Sequence, residues 1–266
     1  MKKVLIAGAT GWVGKELSKA IISSADYTLV GGLSRSNAGA DLAHILGIDH
    51  APIPLFDSIA KALESITFDI LIDFTSPKIA MGNIVSAINS GKNIIVGTSG
   101  LSDEEYERIG SLADEKKVSV LAAGNFSITA VLLQRFSETA AKYINHFEII
   151  DYASEKKVDA PSGTVAELAY RLSKVQKPTL DVTIEETIGV KETRGASING
   201  IRVHAIRLPG HILGVETIFG MEDEKLTIKH EAGSGVAPYL KGIFIALNKI
   251  NTFKGLKRGL DTIMDF

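Results

Sequence analysis

The sequence predicts an α/β chain in two parts, a doubly wound parallel sheet and then an α+β domain with an open mixed sheet. Three observations predict it. The first half alternates short runs, apolar on both faces, with amphipathic stretches of helical length, the pattern of a parallel sheet covered by helices. A glycine-rich turn, GATGWVG, follows the first apolar run directly. The second half shifts to strand-length segments with one helix among them.

The elements follow in order. KVLIAGATG is a buried strand ending in glycines, and WVGKELSKAIISS has helical apolar spacing. YTLVGGLSRS is a strand that ends in a polar loop. FDILIDFTSP (68–77), NIIVGTSG (93–100) and VSVLAAGNFS (118–127) are further buried strands, with helices at KIAMGNIVSAINSG and SDEEYERIGSLADEKK. In the second half HFEIIDYAS is a strand and SGTVAELAYRLSKV a helix opened by serine or threonine. LDVTIEETI, IRVHAIRL, HILGVETIFG and EKLTIKHEA read as strands, and VAPYLKGIFIALNKI as a closing helix. The domain boundary is expected near 124–130, where AGNFSIT leaves the last strand of the first sheet.

Composition narrows the function. A net charge of −2 and a pI near 6.3 give no electrostatic case for a nucleic-acid or membrane partner, and the basic KGLKRG (254–259) is expected to be a solvated face. The absence of cysteine excludes disulfides, thiolate zinc sites and cysteine nucleophiles, and fits a cytoplasmic location. The opening MKKVLIAGATG matches a signal peptide for a few residues only, since its apolar run breaks at glycine and threonine. No segment approaches the ~18–20 apolar residues of a spanning helix. No ligand-spaced cluster suggests a metal, and His204, His211 and His230 read as structural or interfacial.

GATGWVG places Gly8, Gly11 and Gly14 after a strand and at the opening of a helix. Backbone N–H groups there can face a pyrophosphate, which the helix dipole favours, so a Rossmann-like dinucleotide site is expected. An NAD-selecting acid normally stands at the end of the second strand. Here Ser34 and Arg35 stand in that region; arginine pairs with a 2′-phosphate and serine bonds it without repulsion. NADPH is therefore the expected cofactor, with NADH the less favoured alternative. Three further strand ends, DFTSP, GTSG and AGNFS, are rich in small and polar residues. Thr75, Thr98, Ser99 and Asn125 offer hydrogen bonds to ribose and carboxamide, while Ser76 and Ser102 read as helix caps.

DAPSGT precedes the helix VAELAYRL. Ser162 or Thr164 can cap that helix, Gly163 leaves room for a ligand, and the free N–H groups can hold a carboxylate. Lys157 adds a positive charge and a proton donor five residues earlier. From spacing alone, a plain N-cap with a solvent-facing lysine competes with this reading. Tyr152 and Lys156 spell Y-x-x-x-K, the pair of short-chain dehydrogenases, which needs one helical face. Tyr152 ends an apolar strand, so that assignment is rejected.

KVDAPSGT, followed by GIRVHAIRLPGHILGVETIFG and EKLTIKHEA, resembles the dihydrodipicolinate reductase family over nearly the whole chain, together with the glycine loop, DFTSP, VGTSG and NFS. The resemblance implies a nucleotide domain over 1–126, on which a C-terminal helix over 237–266 packs back, and a substrate-binding and oligomerisation domain over 127–236. It implies a homotetramer and a small cyclic dicarboxylate substrate. It implies nucleotide contacts from Gly8, Thr10, Gly11, Trp12 and Val13, from Arg35, from Gly97, Thr98 and Ser99, and from Ala123, Gly124, Asn125 and Phe126; Phe74 and Thr75 of the DFTSP loop are expected to join them. Lys157 matches the family's proton donor, and Gly163 and Thr164 its carboxylate ligands. The family normally carries a histidine pair ahead of that lysine; here Ala153 and Ser154 stand there, and Trp12-Val13 replaces a common arginine and methionine. General acid–base help is commonly worth ~10²–10⁴-fold, so the missing imidazoles matter.

The expected activity is NADPH-dependent reduction of 4-hydroxy-tetrahydrodipicolinate in lysine and diaminopimelate biosynthesis. Hydride reaches the ring, Lys157 protonates it, and Ser162, Gly163, Thr164 and Ser154 hold the carboxylates, with Tyr152 or a water partly replacing the imidazole. The alternatives are a diverged reductase of another cyclic imine or carbonyl acid, and a catalytically silent NADP-binding protein. Aspartate-semialdehyde dehydrogenase shares the GATG opening but needs a cysteine.

Overall fold

Seven strands, β1 (Lys2–Ala7), β2 (Tyr27–Leu33), β3 (Leu55–Phe56), β4 (Ile70–Asp73), β5 (Asn93–Val96), β6 (Ser119–Ala122) and β12 (Gly255–Arg258), form an all-parallel sheet in a computed structural model that describes residues 1–266. Their order is β12-β6-β5-β4-β1-β2-β3, so the winding direction reverses between β1 and β4. In such sheets a ligand crevice opens at the carboxyl ends beside the reversal. The central strands read as continuous apolar runs because both faces are covered, and Val4 to Ala7 and Ile70 to Ile72 are fully buried. α1 (Trp12–Ile22), α4 (Pro77–Asn89), α5 (Asp103–Lys116) and α8 (Ala237–Lys249) belong to this unit, with the short α2 (Leu42–Leu46) and α3 (Ile59–Ser65). Ile84, Ala87 and Ile88 of α4 and Ile109 and Ala113 of α5 share one apolar core with the strands. Each large aliphatic side chain so buried contributes roughly 1.5–3 kcal/mol.

The chain divides into two compact units, Met1–Ser127 with Val236–Phe266, and Ile128–Gly235. The second holds β7 (His146–Ala153), β8 (Ala196–Ile198), β9 (Ile201–Arg207), β10 (Leu213–Met221) and β11 (Glu224–Ala232) in the order β11-β10-β7-β9-β8. The β7–β9 pair is parallel and the others antiparallel, the mixed sheet the sequence predicts. β7 alternates strictly between half-buried and buried residues. Its buried Phe147 and Ile149 pack with Leu133 of α6 (Ile128–Ala141) and Val165 and Leu168 of α7 (Gly163–Val175). Glu148, Ile150 and Tyr152 point to the other, open face.

Four details differ from expectation. LDVTIEETI forms no strand; Glu186 accepts hydrogen bonds from the N–H and hydroxyl of Thr183, closing a local turn instead. α6 is a second helix of this unit, unsignalled because its start, ITAVLL, is a run of apolar residues with β-branched members. The closing helix ends at Lys249, and Gly255 to Arg258 add the parallel strand β12 beside β6. The basic KGLKRG run is thus sheet edge as well as surface. No helix is long and apolar enough to cross a membrane.

Candidate functional site

In the nucleotide unit, β1 runs into the turn that opens α1. Gly8 has φ +81, and a Cβ there would lie 2.2 Å from the Phe74 carbonyl oxygen; one on Gly14 would lie 2.1 Å from the Gly8 oxygen. Only glycines allow the turn to close this tightly. Gly11 caps α1 without a side-chain hydrogen bond, so the first amides, at Trp12 and Val13, are left for an anion. A cleft of about 660 Å³ takes in Gly8, Thr10, Gly11, Ser34, Arg35 and Thr75. A second, of about 360 Å³, shares Gly11 and Thr75 with it and adds Trp12, Val13, Phe74, Gly97, Thr98 and Ser99. The glycine cradle and uncapped helix fit a dinucleotide's pyrophosphate. Ser34 is buried and bonds the Thr10 hydroxyl at 2.8 Å, while Arg35 is exposed at the lip. Asp57 also lines the larger cleft, but Lys61 bonds it and holds its carboxyl below the usual range.

Asp73, the last residue of β4, organises two of the strand-end loops. Fully buried, it accepts the Thr75 N–H (3.1 Å) and hydroxyl (2.7 Å), the Thr98 hydroxyl (2.7 Å) and the Asn83 amide (2.8 Å). The hydroxyls of Thr75 and Thr98, expected to serve ribose and carboxamide, both donate to Asp73. Ser99 and Gly124 remain exposed, and Asn125 is half-buried with its oxygen on the Ser127 N–H. Ala123 and Phe126 are buried, and Phe126 packs against Phe74 at 5.9 Å. Ser102 makes a full capping box with Glu105, whereas Ser76 sits at the cap position of α4 without a side-chain bond.

In the second unit, Ser162 is the N-cap of α7 and its oxygen accepts the Val165 N–H at 3.4 Å. Its own N–H and hydroxyl both go to the buried Asp151, at 2.7 and 2.8 Å. Ser162 is thus engaged as the cap of the helix, with both of its donors on Asp151. The amides of Gly163 and Thr164 are the ones left open at this helix start, and no atom lies within 4 Å of where a Gly163 Cβ would be. Lys157 stands on the preceding turn, its N–H on the Ser154 carbonyl and its ammonium 2.8 Å from Asp159. That contact holds the Asp159 carboxyl below its ordinary range. Lys157 keeps 31% of its side chain exposed, so water can reach it. Ser154 donates to Glu155 at 3.1 Å, a surface bond that a ligand can exchange.

Tyr152 does not stand in for an imidazole at this grip. Strand alternation places it opposite Asp151, and its hydroxyl donates to Glu216 at 2.9 Å with Lys229 over its ring. Burial and the Glu216 bond push its pKa up, making it a poorer acid. Sequence reading missed Asp73, Asp151 and Arg207, the last bonded to Asp151 at 2.7 Å. One signal was present: ILID and IID each set a carboxylate directly after consecutive buried-strand aliphatics.

Two family models match the chain: dihydrodipicolinate reductase, N-terminus, over residues 2–126, and its C-terminus, over residues 129–265. A protein of Desulfitobacterium hafniense named 4-hydroxy-tetrahydrodipicolinate reductase is 35% identical over 268 residues, covering 100% of both chains. One of the same name from Moorella thermoacetica is 32% identical over 99% of this chain and 98% of its own. Among solved structures, a dipicolinate-bound dihydrodipicolinate reductase from Paenisporosarcina sp. TG-14 superposes with a TM-score of 0.87 at 28% identity, covering 99% of this chain and 100% of that one. An amine dehydrogenase from Mycobacterium smegmatis, at 0.65 and 11% identity, shares the fold alone.

Proposed function

The chain belongs to the dihydrodipicolinate reductase family, and from that premise we propose that it reduces 4-hydroxy-tetrahydrodipicolinate with NADPH in lysine and diaminopimelate biosynthesis. It is a nicotinamide-dependent oxidoreductase. When bound, the nicotinamide supplies a hydride; the chain's own residues hold the anions and move the proton. The observation that carries the substrate assignment is the start of α7, where Asp151 occupies Ser162 and leaves the Gly163 and Thr164 amides for a ring carboxylate. Lys157 is the proton donor. Its partner is the Asp159 carboxylate in place of an imidazole, and its solvent contact lets water return the proton. Arg35 beside Ser34, with Asp57 already paired to Lys61, supports NADPH over NADH.

The cytoplasm is the proposed setting and a homotetramer the proposed assembly. The open face of the second sheet, with half-buried Ile150, Ile206 and Ile218, supports assembly through that face.

Freshly generated substrate and NADPH test the reading. The wild type should consume NADPH, and Lys157→Ala should lower kcat by ~10²–10⁴-fold while NADPH still titrates normally. Turnover by Lys157→Ala close to wild type would remove the assigned role.

A further inference from the structure

We propose that Asp151 and Arg207 are a positioning pair that sets the carboxylate grip of α7 and its register with Lys157. The inference rests on reading the Gly163 and Thr164 amides as the carboxylate site. Asp151 is fully buried near the end of β7, and the Arg207 side chain, at the end of β9, is 17% exposed. Arg207 Nη2 donates to Asp151 Oδ2 at 2.7 Å, the oxygen that also accepts the Ser162 N–H. The same nitrogen donates to the Asp159 carbonyl at 2.7 Å. One guanidinium thus reaches the turn two residues beyond Lys157 and, through Asp151, the cap of α7. Between these anchors run only Ala160 and Pro161.

The pair has two effects. By taking both donors of Ser162, Asp151 fixes the cap, whose oxygen then satisfies Val165, so the open amides are those of Gly163 and Thr164. A carboxylate buried beneath an anion site would repel a dicarboxylate, and Arg207 offsets that charge. Neither residue needs to touch the reacting atoms.

The test uses the full chain and variants Arg207→Met, Arg207→Lys, Asp151→Asn and Ser162→Ala. It reads the KM for the cyclic substrate, kcat, the inhibition constant of dipicolinate, the KM for NADPH and the melting temperature. Arg207→Met and Asp151→Asn should raise the substrate KM and the dipicolinate constant by about tenfold or more, in parallel, with the NADPH KM within about twofold. Arg207→Lys keeps the charge but not a second nitrogen, Nη1, which in the wild type donates to the Asp151 and Ile206 carbonyls, so it should fall between wild type and Arg207→Met. Ser162→Ala should give a smaller rise in the same two constants. Should the first two variants fail to fold, Arg207→Lys and Ser162→Ala decide the matter. Substrate KM and dipicolinate constants within about twofold of wild type in those folded variants would overturn the pairing role. A wild type that neither turns over the substrate nor binds dipicolinate would overturn the parent reading and the inference together.

Discussion

Arg35 stands exposed at the lip of the nucleotide cleft, where its guanidinium can meet a 2′-phosphate without first giving up another partner. A hydrogen bond to a charged group is worth about 1.5–3 kcal/mol. Arg35→Ala should therefore raise the NADPH KM by roughly tenfold or more and leave the NADH KM nearly unchanged. An unchanged ratio of the two in steady-state assays would dismiss the rationale. Arg35 was legible in the sequence because its meaning depends on one local fact, its place after the second strand. Asp73 and Asp151 were not, because their hydrogen-bond partners lie up to 25 and 56 residues away in the chain, respectively. The same separation hid that the hydroxyls of Thr75, Thr98 and Ser162 donate to these aspartates.

β11 has an environment that its sequence pattern does not announce. EKLTIKHEA alternates as an ordinary surface strand, yet His230 is only 4% exposed beneath α6. One ring nitrogen meets the Thr129 hydroxyl at 3.0 Å, and the other is buried without a partner. Burial lowers the His230 pKa below its ordinary 6.5, with Glu231 opposing the shift. The unfolded chain then takes up the proton first, so stability is lost as pH falls below 6.5. The slope from this residue is at most about 1.4 kcal/mol per pH unit. Denaturant titrations above and below pH 6.5 should show it, and His230→Gln should flatten it; an equal acid slope in the variant would clear His230. In the nucleotide unit α8 approaches the chain so closely that a Cβ on Gly242 would lie 1.9 Å from the Phe126 carbonyl oxygen. The helix itself was legible in VAPYLKGIFIALNKI, but nothing local announced that contact.

At the scale of the whole chain, the nucleotide unit is built from two separated segments, with Ile128–Gly235 inserted between them. α8 and β12 complete it: Tyr27 donates to Asn248 at 2.7 Å, and β12 continues the ladder beyond β6. A chain ended at Gly235 would expose the edge of β6 and uncover the apolar face that Ile243, Ala246 and Leu247 bury. It should lose cooperative melting and NADPH binding, read by circular dichroism and nucleotide titration; retention of both would show that the first segment suffices. By itself the sequence determined the two sheet types, the glycine turn on β1, the cap at DAPSGT and the family, because each is written in residues adjacent in the chain or repeating at a strand or helix period. Tertiary structure alone decided that GLKR is a strand, that two buried aspartates organise the loops, and that Arg207 joins Lys157's turn to the start of α7. These depend on which distant segments come within hydrogen-bonding distance, about 3 Å, and no local period encodes that.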